Sequence, residues 1–324
     1  MNSPLGYAAI LGEALVDLLD STVDGEHVYR PAIGGGPLNV AVGVSRLGGA
    51  AQFVGSLSDD VWGDRISAFL TDAGVGTQGV RRVPAPSSLA VTTHTGAEPE
   101  FRFYGTPPSY ALLHPGDLDL PLLHGAAVLY AGSISLLSEP FLDTARKAWA
   151  VPGPLKVFDP NVRPALVPDR PARAGLRDLV EQFAATADLV KLSEADGRLL
   201  YDGAPVSETA DRLRTAGAAV VVVTRGPRGA VVVTDAGTVA VPAPVVTAVD
   251  ATGAGDSVMA ALIAHLLADG PGTDPAGWAH AVTFALTVAA LVCERPGGAA
   301  AMPTRDEVAA RWGAGVSGPP VVLQ

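Results

Sequence analysis

Residues 249–257, with the sequence VDATGAGDS, combine residue types that suit the transfer of a phosphoryl group. The β-branched run at 245–247 predicts a strand and the alanine-rich run at 258–267 predicts a helix, so the glycines fall at a junction where backbone can approach a ligand closely. Free N–H groups and the positive end of the helix dipole would form an anion site there. Asp256 in the first helical turn is unexpected beside an anion unless it takes a proton from a nucleophile. The same residues also fit a glycine-rich turn with an aspartate that caps the helix.

A second glycine turn, residues 34–39 with the sequence GGGPLN, precedes a run of small residues at 40–47 that predicts a helix. Its glycines expose backbone amides, and Asn39 can both donate to and accept from a hydroxylated ligand. The turn is not a dinucleotide fingerprint, because no acid follows where a ribose would need it. A nicotinamide-dependent oxidoreductase is therefore a weaker hypothesis than a kinase.

Polar residues follow several predicted strands, which is where open α/β sheets bind ligands. The runs at 7–11, 51–55, 126–131, 155–158, 189–192, 218–224 and 230–233 predict these strands. Asp17 follows the first of them, and Asp159 to Arg163 follow the strand at 155–158. Because strands alternate with helical segments, we expect an α/β fold with a doubly wound, mostly parallel central sheet flanked by helices.

Alternating apolar and polar residues between Leu89 and Tyr104, with a turn at Gly96, predict a hairpin that stands off the main sheet. The segment at 28–33 is expected to join it in a small sheet. A helix is expected to run to Leu70 with Ser58 or Asp59 as its N-cap.

The composition indicates a globular intracellular protein. Of the 324 residues, 48% are hydrophobic, which allows a sizeable core. The net charge of −11 argues against nucleic acid or an anionic membrane as a partner. A single cysteine, Cys293, fits a reducing compartment, and no signal peptide is evident, so we expect a cytoplasmic protein. The apolar run at 279–293 is expected to be a buried helix because it is short for a membrane span.

Nine stretches in family order resemble the ribokinase-like (pfkB) carbohydrate kinases, and most of all the fructokinases. They are GEALVDL at 12–18, GGGPLNVA at 34–41, GSLSDDVWGD at 55–64, FRFYG at 101–105, FDPNVRPAL at 158–166, KLSEAD at 191–196, VVVTRGPRGA at 221–230, VDATGAGDS at 249–257 and CERPGGAAAMP at 293–303. The resemblance covers nearly the whole chain and implies one domain over 1–324, with lid strands at about 20–33 and 88–105.

The resemblance implies a role for each matching residue. Asp256 would be the catalytic base, and Gly253, Ala254 and Gly255 would form the anion hole. The residues expected to bind the sugar are Asp17, Gly35, Gly36, Asn39, Tyr104, Asn161, Arg163 and Asp256. Those expected to bind ATP are Lys191, Ser193, Thr224, Arg225, Gly226, Pro227, Gly229, Gly253 and Gly255. Glu194 would act on Mg²⁺ through water, and a monovalent cation such as K⁺ would bind near Asp250, Thr252, Arg295 and Gly297.

The expected reaction is transfer of the γ-phosphoryl group of ATP to a primary hydroxyl of a sugar, with fructose as the first choice. Ketodeoxygluconate, ribose and nucleosides are the alternatives, in that order, and a non-catalytic sugar-binding protein is a further one. Gly105 stands where fructokinases and ketodeoxygluconate kinases usually carry an arginine, and Leu286 where many relatives have an asparagine near the adenine. In many relatives the lid also pairs with that of a second subunit, so a homodimer is expected.

Overall fold

The computed structural model describes residues 6–95, 98–272, 274–313 and 321–322. Its strands are β1 Tyr7–Leu11, β2 Leu15–Val23, β3 Glu26–Gly34, β4 Ala50–Ser58, β5 Gly76–Val83, β6 Leu89–Thr95, β7 Glu98–Tyr104, β8 Val128–Gly132, β9 Leu155–Asp159, β10 Leu189–Ser193, β11 Val221–Thr224, β12 Ala230–Thr234, β13 Gly237–Val241 and β14 Val321–Val322. Its helices are α1 Gly36–Arg46, α2 Val61–Asp72, α3 Leu120–Gly125, α4 Phe141–Trp149, α5 Arg170–Ala184, α6 Glu194–Leu200, α7 Val206–Ala216, α8 Ala254–Asp269, α9 Pro275–Cys293, α10 Gly298–Ala301 and α11 Arg305–Trp312.

The main sheet has ten strands in the order β14-β13-β12-β11-β10-β9-β8-β1-β4-β5. Neighbouring strands from β5 to β11 pair in parallel, whereas β12, β13 and β14 continue one edge in antiparallel pairing. The prediction of a mostly parallel central sheet is confirmed.

Helices cover both faces of this sheet, as a doubly wound fold requires. One buried cluster contains side chains from α1, α8 and α9, and a second contains side chains from α4, α5 and α7. Along β1, Ala8 and Ile10 belong to the first cluster, and Ala9 and Leu11 to the second. A strand that is buried on both faces reads as continuously apolar, which explains why the strands from β8 to β11 were predictable.

A separate sheet of four strands, in the order β3-β2-β6-β7, is hereafter called the small sheet. Strands β2 and β3 pair over residues Leu15 to Gly34, so this hairpin begins five residues earlier than the expected lid boundary at 20. Asp17 therefore lies on a strand of the small sheet rather than at the end of a central strand. Gly96, the expected turn residue between β6 and β7, lies outside the described residues.

Two local predictions were wrong. The run at 245–247 is not a strand: it lies in the irregular segment between β13 and α8, where Val245 is almost fully exposed. The N-cap of α2 is Asp60, whose carboxylate accepts hydrogen bonds from the backbone of Trp62 and Gly63. Asp60 also accepts from Ser87, which explains why it rather than its neighbours caps the helix.

Helix α9 is the one described helix that is long and apolar enough to cross a membrane. Most of its apolar stretch is buried between α8 and the main sheet, with residues such as Val282 and Ala285 fully covered. Its apolar character is accounted for by core packing, as the sequence predicted.

Candidate active site

The carboxylate of Asp256 is held between two side-chain amides at the first turn of α8. It is 5% exposed. Asn39, on α1, donates from Nδ2 to Oδ2 of Asp256 at 2.7 Å. Asn161, just beyond β9, donates from Nδ2 to Oδ1 at 3.1 Å. Each carboxylate oxygen therefore has one fixed donor and a remaining lone pair, an arrangement suited to accepting a proton from a bound hydroxyl.

Arg163 fixes the orientation of Asn161. Its Nη1 donates to Oδ1 of Asn161 at 2.6 Å, which leaves the amide nitrogen of Asn161 facing Asp256. Asn161 adopts a positive φ of 40°, a conformation that asparagine tolerates better than most residues. Asn39, Asn161 and Arg163 were predicted to bind sugar hydroxyls, and the structure joins them through Asp256 in one hydrogen-bonded chain.

The glycine turn before α1 leaves room for side chains from three other segments. A Cβ on Gly34 would lie 2.3 Å from Oδ2 of Asp17, and one on Gly36 would lie 2.6 Å from Nδ2 of Asn161. Gly35, with φ 111°, also packs against the backbone of Glu13. The turn therefore brings the side chains of Asp17, Asn161 and Asp256 together. From the sequence, only exposed backbone amides were expected at this turn.

The expected anion hole lies at the start of α8. Gly253 is the N-cap and has φ 80°, and its close neighbour Gly298 leaves no room for a side chain. The ammonium group of Lys191 lies 3.0 Å from the position that a Cβ of Gly255 would occupy. A positive charge therefore stands next to the N–H groups at this helix N-terminus, where it reinforces the attraction for an anion.

Lys191 forms a buried ion pair with Asp159, at 2.8 Å between Nζ and Oδ2. Burial raises the pKa of Asp159 to about 6, and the lysine opposes this rise. Burial disfavours the charged form of Lys191, but the nearby Asp159 carboxylate raises its pKa overall, so the ammonium stays charged.

A cavity of about 690 Å³ opens beside the anion hole. Seven of the residues predicted to bind ATP or phosphate line it: Lys191, Ser193, Thr224, Gly226, Pro227, Ala254 and Gly255. Its apolar walls come from the segment at 243–248 and from Leu286, Ala289 and Ala290 of α9. Such walls suit the flat face of a nucleobase, and the charged end suits its phosphates.

A family model described as "pfkB family carbohydrate kinase" matches residues 7–305. The chain belongs to this family. It is 35% identical over 314 residues to the "Probable fructokinase-3" of Arabidopsis thaliana, a match that covers 93% of this chain and 90% of the relative. It is thus an ATP-dependent sugar kinase.

Two solved structures have the same fold over almost their full length. The fructokinase of Xylella fastidiosa with bound ATP has a TM-score of 0.84 and 28% identity, and the match covers 94% of this chain and 98% of that one. A double mutant of the fructokinase of Vibrio cholerae O395, with fructose, ADP and a potassium ion bound, has a TM-score of 0.83 and 28% identity, with 96% and 99% covered.

Not every residue predicted to serve the kinase reaction faces the cavity. Glu194 forms ion pairs with Arg198 and Arg228 instead. Ser193 uses its hydroxyl to cap α6, where it bonds Asp196 in a capping box. Asp196 does line the cavity, and its carboxylate also accepts from the backbone of Val162. Of the two acids in KLSEAD, Asp196 lines the cavity and Glu194 pairs with arginines, so the role of Glu194 at Mg²⁺ stays a prediction.

Three further predicted residues have structural contacts. Arg225 donates to the backbone oxygen of Arg228, at 3.0 Å, and thereby closes its own turn. A Cβ on Gly229 would meet the backbone oxygen of Val241 at 1.9 Å, so glycine is required there by packing. Tyr104, on β7, is half exposed.

The expected monovalent-cation residues converge on Asp250. Its Oδ1 accepts from the backbone N–H of Thr252 at 2.8 Å, and its Oδ2 from that of Gly297 at 3.0 Å. Burial tends to raise the pKa of Asp250, but these hydrogen bonds lower it overall. The Arg295 side chain points elsewhere and pairs with Glu307. An ionised carboxylate is an oxygen ligand of the kind that hard cations prefer.

Sequence reasoning missed the acids that support the site. Asp159 lies within the quoted FDPNVRPAL stretch, and its place at a strand end was the available signal. Asp196 had a signal too, because it follows Ser193 at capping-box spacing. Glu13 is 1% exposed at the junction of β1 and β2, and no pattern in the sequence distinguishes it from a solvated acid. The sequence did not predict that the apolar segment at 243–248 lines the cavity, because its composition is typical of a strand.

Replacing Asp17 by asparagine should stabilise the kinase at neutral pH. Burial raises the pKa of Asp17 to about 6, Arg163 opposes the rise, and Asp256 adds to it. A carboxyl whose folded-state pKa is raised contributes stability at low pH that is lost as the pH rises through about 6. We therefore expect Asp17→Asn to gain about 1–3 kcal/mol at pH 7.5 and nothing near pH 3.5, measured by urea unfolding.

The control is Asp24→Asn, on the exposed turn between β2 and β3. It should show no such pH dependence. An Asp17→Asn variant that is less stable than the wild type at pH 7.5 would contradict the assignment of Asp17 as a strained, buried acid.

Proposed function

We propose that this kinase transfers the γ-phosphoryl group of ATP to a primary hydroxyl of fructose, giving fructose 6-phosphate and ADP. The observation that carries the proposal is the carboxylate of Asp256, fixed by Asn39 and Asn161 directly beside the anion hole. The names of the relatives, and the fructose held by the Vibrio enzyme, support the choice of sugar.

The charges around Asp256 favour a neutral sugar over a sugar acid. Asp17, Asp256 and Glu13 are gathered here; the Arg163 guanidinium interacts with Asp17 and Glu13, and the Lys191 ammonium is already paired with Asp159. Arg163 already donates to Asn161. A carboxylate on the substrate would meet more negative than positive charge, which costs binding free energy in a buried site. Ketodeoxygluconate is for this reason a weaker candidate than fructose.

The chemical step follows from the geometry. Asp256 accepts the proton of the attacking hydroxyl, and the sugar oxygen then bonds to the γ-phosphorus while the bond to the β-phosphate oxygen breaks. The N–H groups of residues 253–256 and the Lys191 ammonium neutralise the charge on the transferring group. Asn39 and Asn161 keep the Asp256 carboxylate in place, so little reorganisation is needed during the step.

The reaction is tested by measuring ADP release with fructose, ketodeoxygluconate, ribose, glucose and adenosine. We expect the highest kcat/KM for fructose. Asp256→Asn should lower kcat by about 10²–10⁴-fold, the usual contribution of a general base, and leave sugar binding within about threefold. The matched control is Asp269→Asn, an exposed position at the far end of α8, which should change neither quantity. Full activity in Asp256→Asn would refute the role of the base.

We also propose that Mg²⁺ accompanies the nucleotide and is held through water by Asp196. Among the described residues, no group of three or more His, Cys, Asp or Glu side chains is arranged to hold a metal ion. This fits Mg²⁺, which usually binds through one or two carboxylates, waters and the substrate phosphates. When bound, the ion neutralises phosphate charge. Asp196 supplies a carboxylate on the cavity wall that would hold the ion through water.

The two candidate acids can be compared directly. Asp196→Asn keeps the cap of α6 and should raise the Mg²⁺ concentration for half-maximal activity about tenfold, and weaken Mg²⁺-dependent ATP binding measured by calorimetry. Glu194→Gln should change both by less than threefold, because Glu194 pairs with Arg198 and Arg228. The reverse order would restore Glu194 as the acid that serves the metal.

The remaining proposals concern the surroundings of the site. Asp250, Thr252 and Gly297 are proposed to hold K⁺, as the potassium-bound Vibrio enzyme suggests, so activity should rise when K⁺ replaces a bulky cation.

The small sheet is proposed to close over the sugar and to pair with that of a second subunit, because it exposes Val23, Tyr29 and Tyr104. Light scattering would test the dimer. A cytoplasmic location, without nucleic acid or membrane as partner, agrees with the acidic charge.

A further inference from the structure

The hydroxyl of Ser133 is a buried polar group that none of the steps above uses. Ser133 follows β8 directly and is 5% exposed. Within the described part of the chain its Oγ has no hydrogen-bond partner of normal geometry. Because a buried hydroxyl without a partner is costly, such a group calls for a specific explanation.

Local structure does not explain Ser133. It precedes a short 3-10 turn at residues Ile134–Leu137, a position where serine commonly caps a helix, yet its side chain makes no capping hydrogen bond. Its backbone has φ 66° and ψ −161°, a region occupied almost only by glycine. A glycine would satisfy the backbone without strain, so the side chain itself must have a use.

The Ser133 hydroxyl points to the space above Gly36, where the reacting groups meet. A Cβ on Gly36 would lie 3.2 Å from Oγ of Ser133, 2.6 Å from Nδ2 of Asn161 and 3.5 Å from Oδ1 of Asp256. The three polar groups therefore surround one point of the glycine turn. A ligand hydroxyl bonded to Ser133 would lie next to the base.

Glu13 holds the loop that carries Ser133. Its carboxylate accepts from the backbone N–H of Ser135 at 3.3 Å. Burial raises the pKa of Glu13, and the hydroxyls of Ser133 and Ser135 oppose this rise, so the carboxylate faces both serines. On the other side of the loop, the backbone N–H of Ser133 donates to the oxygen of Asp159. The loop is thus fixed between β1 and β9.

We propose that Ser133 is a further sugar-binding residue and that Glu13 is the residue that positions it. With its proton directed toward Glu13, the Ser133 oxygen accepts a hydrogen bond from a sugar hydroxyl close to the one that is phosphorylated. The inference rests on the proposed kinase site around Asp256. It assigns part of the selection for a hydroxylated substrate to this loop, since a substrate that lacks this hydroxyl would leave the buried Ser133 oxygen without a hydrogen-bond donor.

Ser133→Ala tests the hydroxyl, with the sugar that the wild type phosphorylates fastest. We expect the KM for the sugar to rise about tenfold, while the KM for ATP stays within twofold. Ser133→Gly should raise the sugar KM equally and be at least as stable as Ser133→Ala, because glycine accepts the positive φ. An unchanged sugar KM, or an equal rise for both substrates, would overturn the proposal.

The control is Ser56→Ala, which removes another buried serine hydroxyl, one that donates to the backbone oxygen of Ser109 at 2.7 Å. It should lower the melting temperature and leave the sugar KM unchanged. If fructose is not the substrate, the panel of substrates measured with the wild type will show it. Failure of the inference about Ser133 would be seen only in the ratio of the sugar KM of Ser133→Ala to that of the wild type.

The positioning role of Glu13 is tested by a double-mutant cycle. Glu13→Ala should raise the sugar KM in the wild type but add nothing in the Ser133→Ala background, since both changes remove the same contact. Glu13→Gln, which keeps an oxygen for the Ser135 N–H, should retain most of the affinity. If Glu13→Ala does not fold, Glu13→Gln takes its place. Its smaller increase in the sugar KM must likewise disappear in the Ser133→Ala background. Additive effects would overturn the role of Glu13.

Discussion

The buried ion pair between Lys191 and Asp159 is the interaction on which the rest of the site depends. It joins the ends of the neighbouring strands β9 and β10, and its ammonium group faces the backbone of Gly255 at the start of α8. Removing one partner of such a pair typically costs about 3–5 kcal/mol, because the other charge is left buried. The pair therefore serves two purposes. It fixes the strand end that carries Asn161, and it keeps a positive charge at the N-terminus of α8, where phosphoryl transfer is proposed.

Several acidic side chains lie close together in the site, because neighbouring glycines leave space for them. Asp17 comes from the small sheet and Asp256 from α8, and both carboxylates approach glycine backbone. Where a Cβ would stand at Gly34 or Gly36, a carboxylate or amide group lies instead. Amides, one arginine and a helix N-terminus offset the negative charge, and burial raises the pKa of Asp17 and Asp159 to about 6. Burying these carboxylates lowers the folding stability of the protein at the position where the chemistry needs their charge.

The sequence was informative wherever one physical factor decided the outcome. Strands β8 to β11 are apolar on both faces, and α9 is apolar all round, so their burial was predictable. The helix start at Gly253, with Asp256 in the first turn, was predictable because the glycines precede an apolar, alanine-rich run. The partners of each side chain were not predictable, because they depend on tertiary distance: Asn39 and Asn161 contact Asp256, and Glu194 contacts Arg228. The segment at 245–247 was misread because β-branched residues fit a cavity wall as well as a strand.

Glu13 lies at the point where the chain passes from β1 in the main sheet to β2 in the small sheet, four residues before Asp17. Half of the proposed sugar site, Asp17 and the glycine turn, is therefore covalently continuous with the small sheet, whereas Asp256, Asn161 and Ser133 belong to the main body. The complete site exists only in those molecules in which the two sheets have the right relative orientation. The apparent dissociation constant for the sugar then equals the intrinsic one divided by the fraction of such molecules. Residues of the β2–β3 hairpin that never touch the sugar can thereby set its affinity.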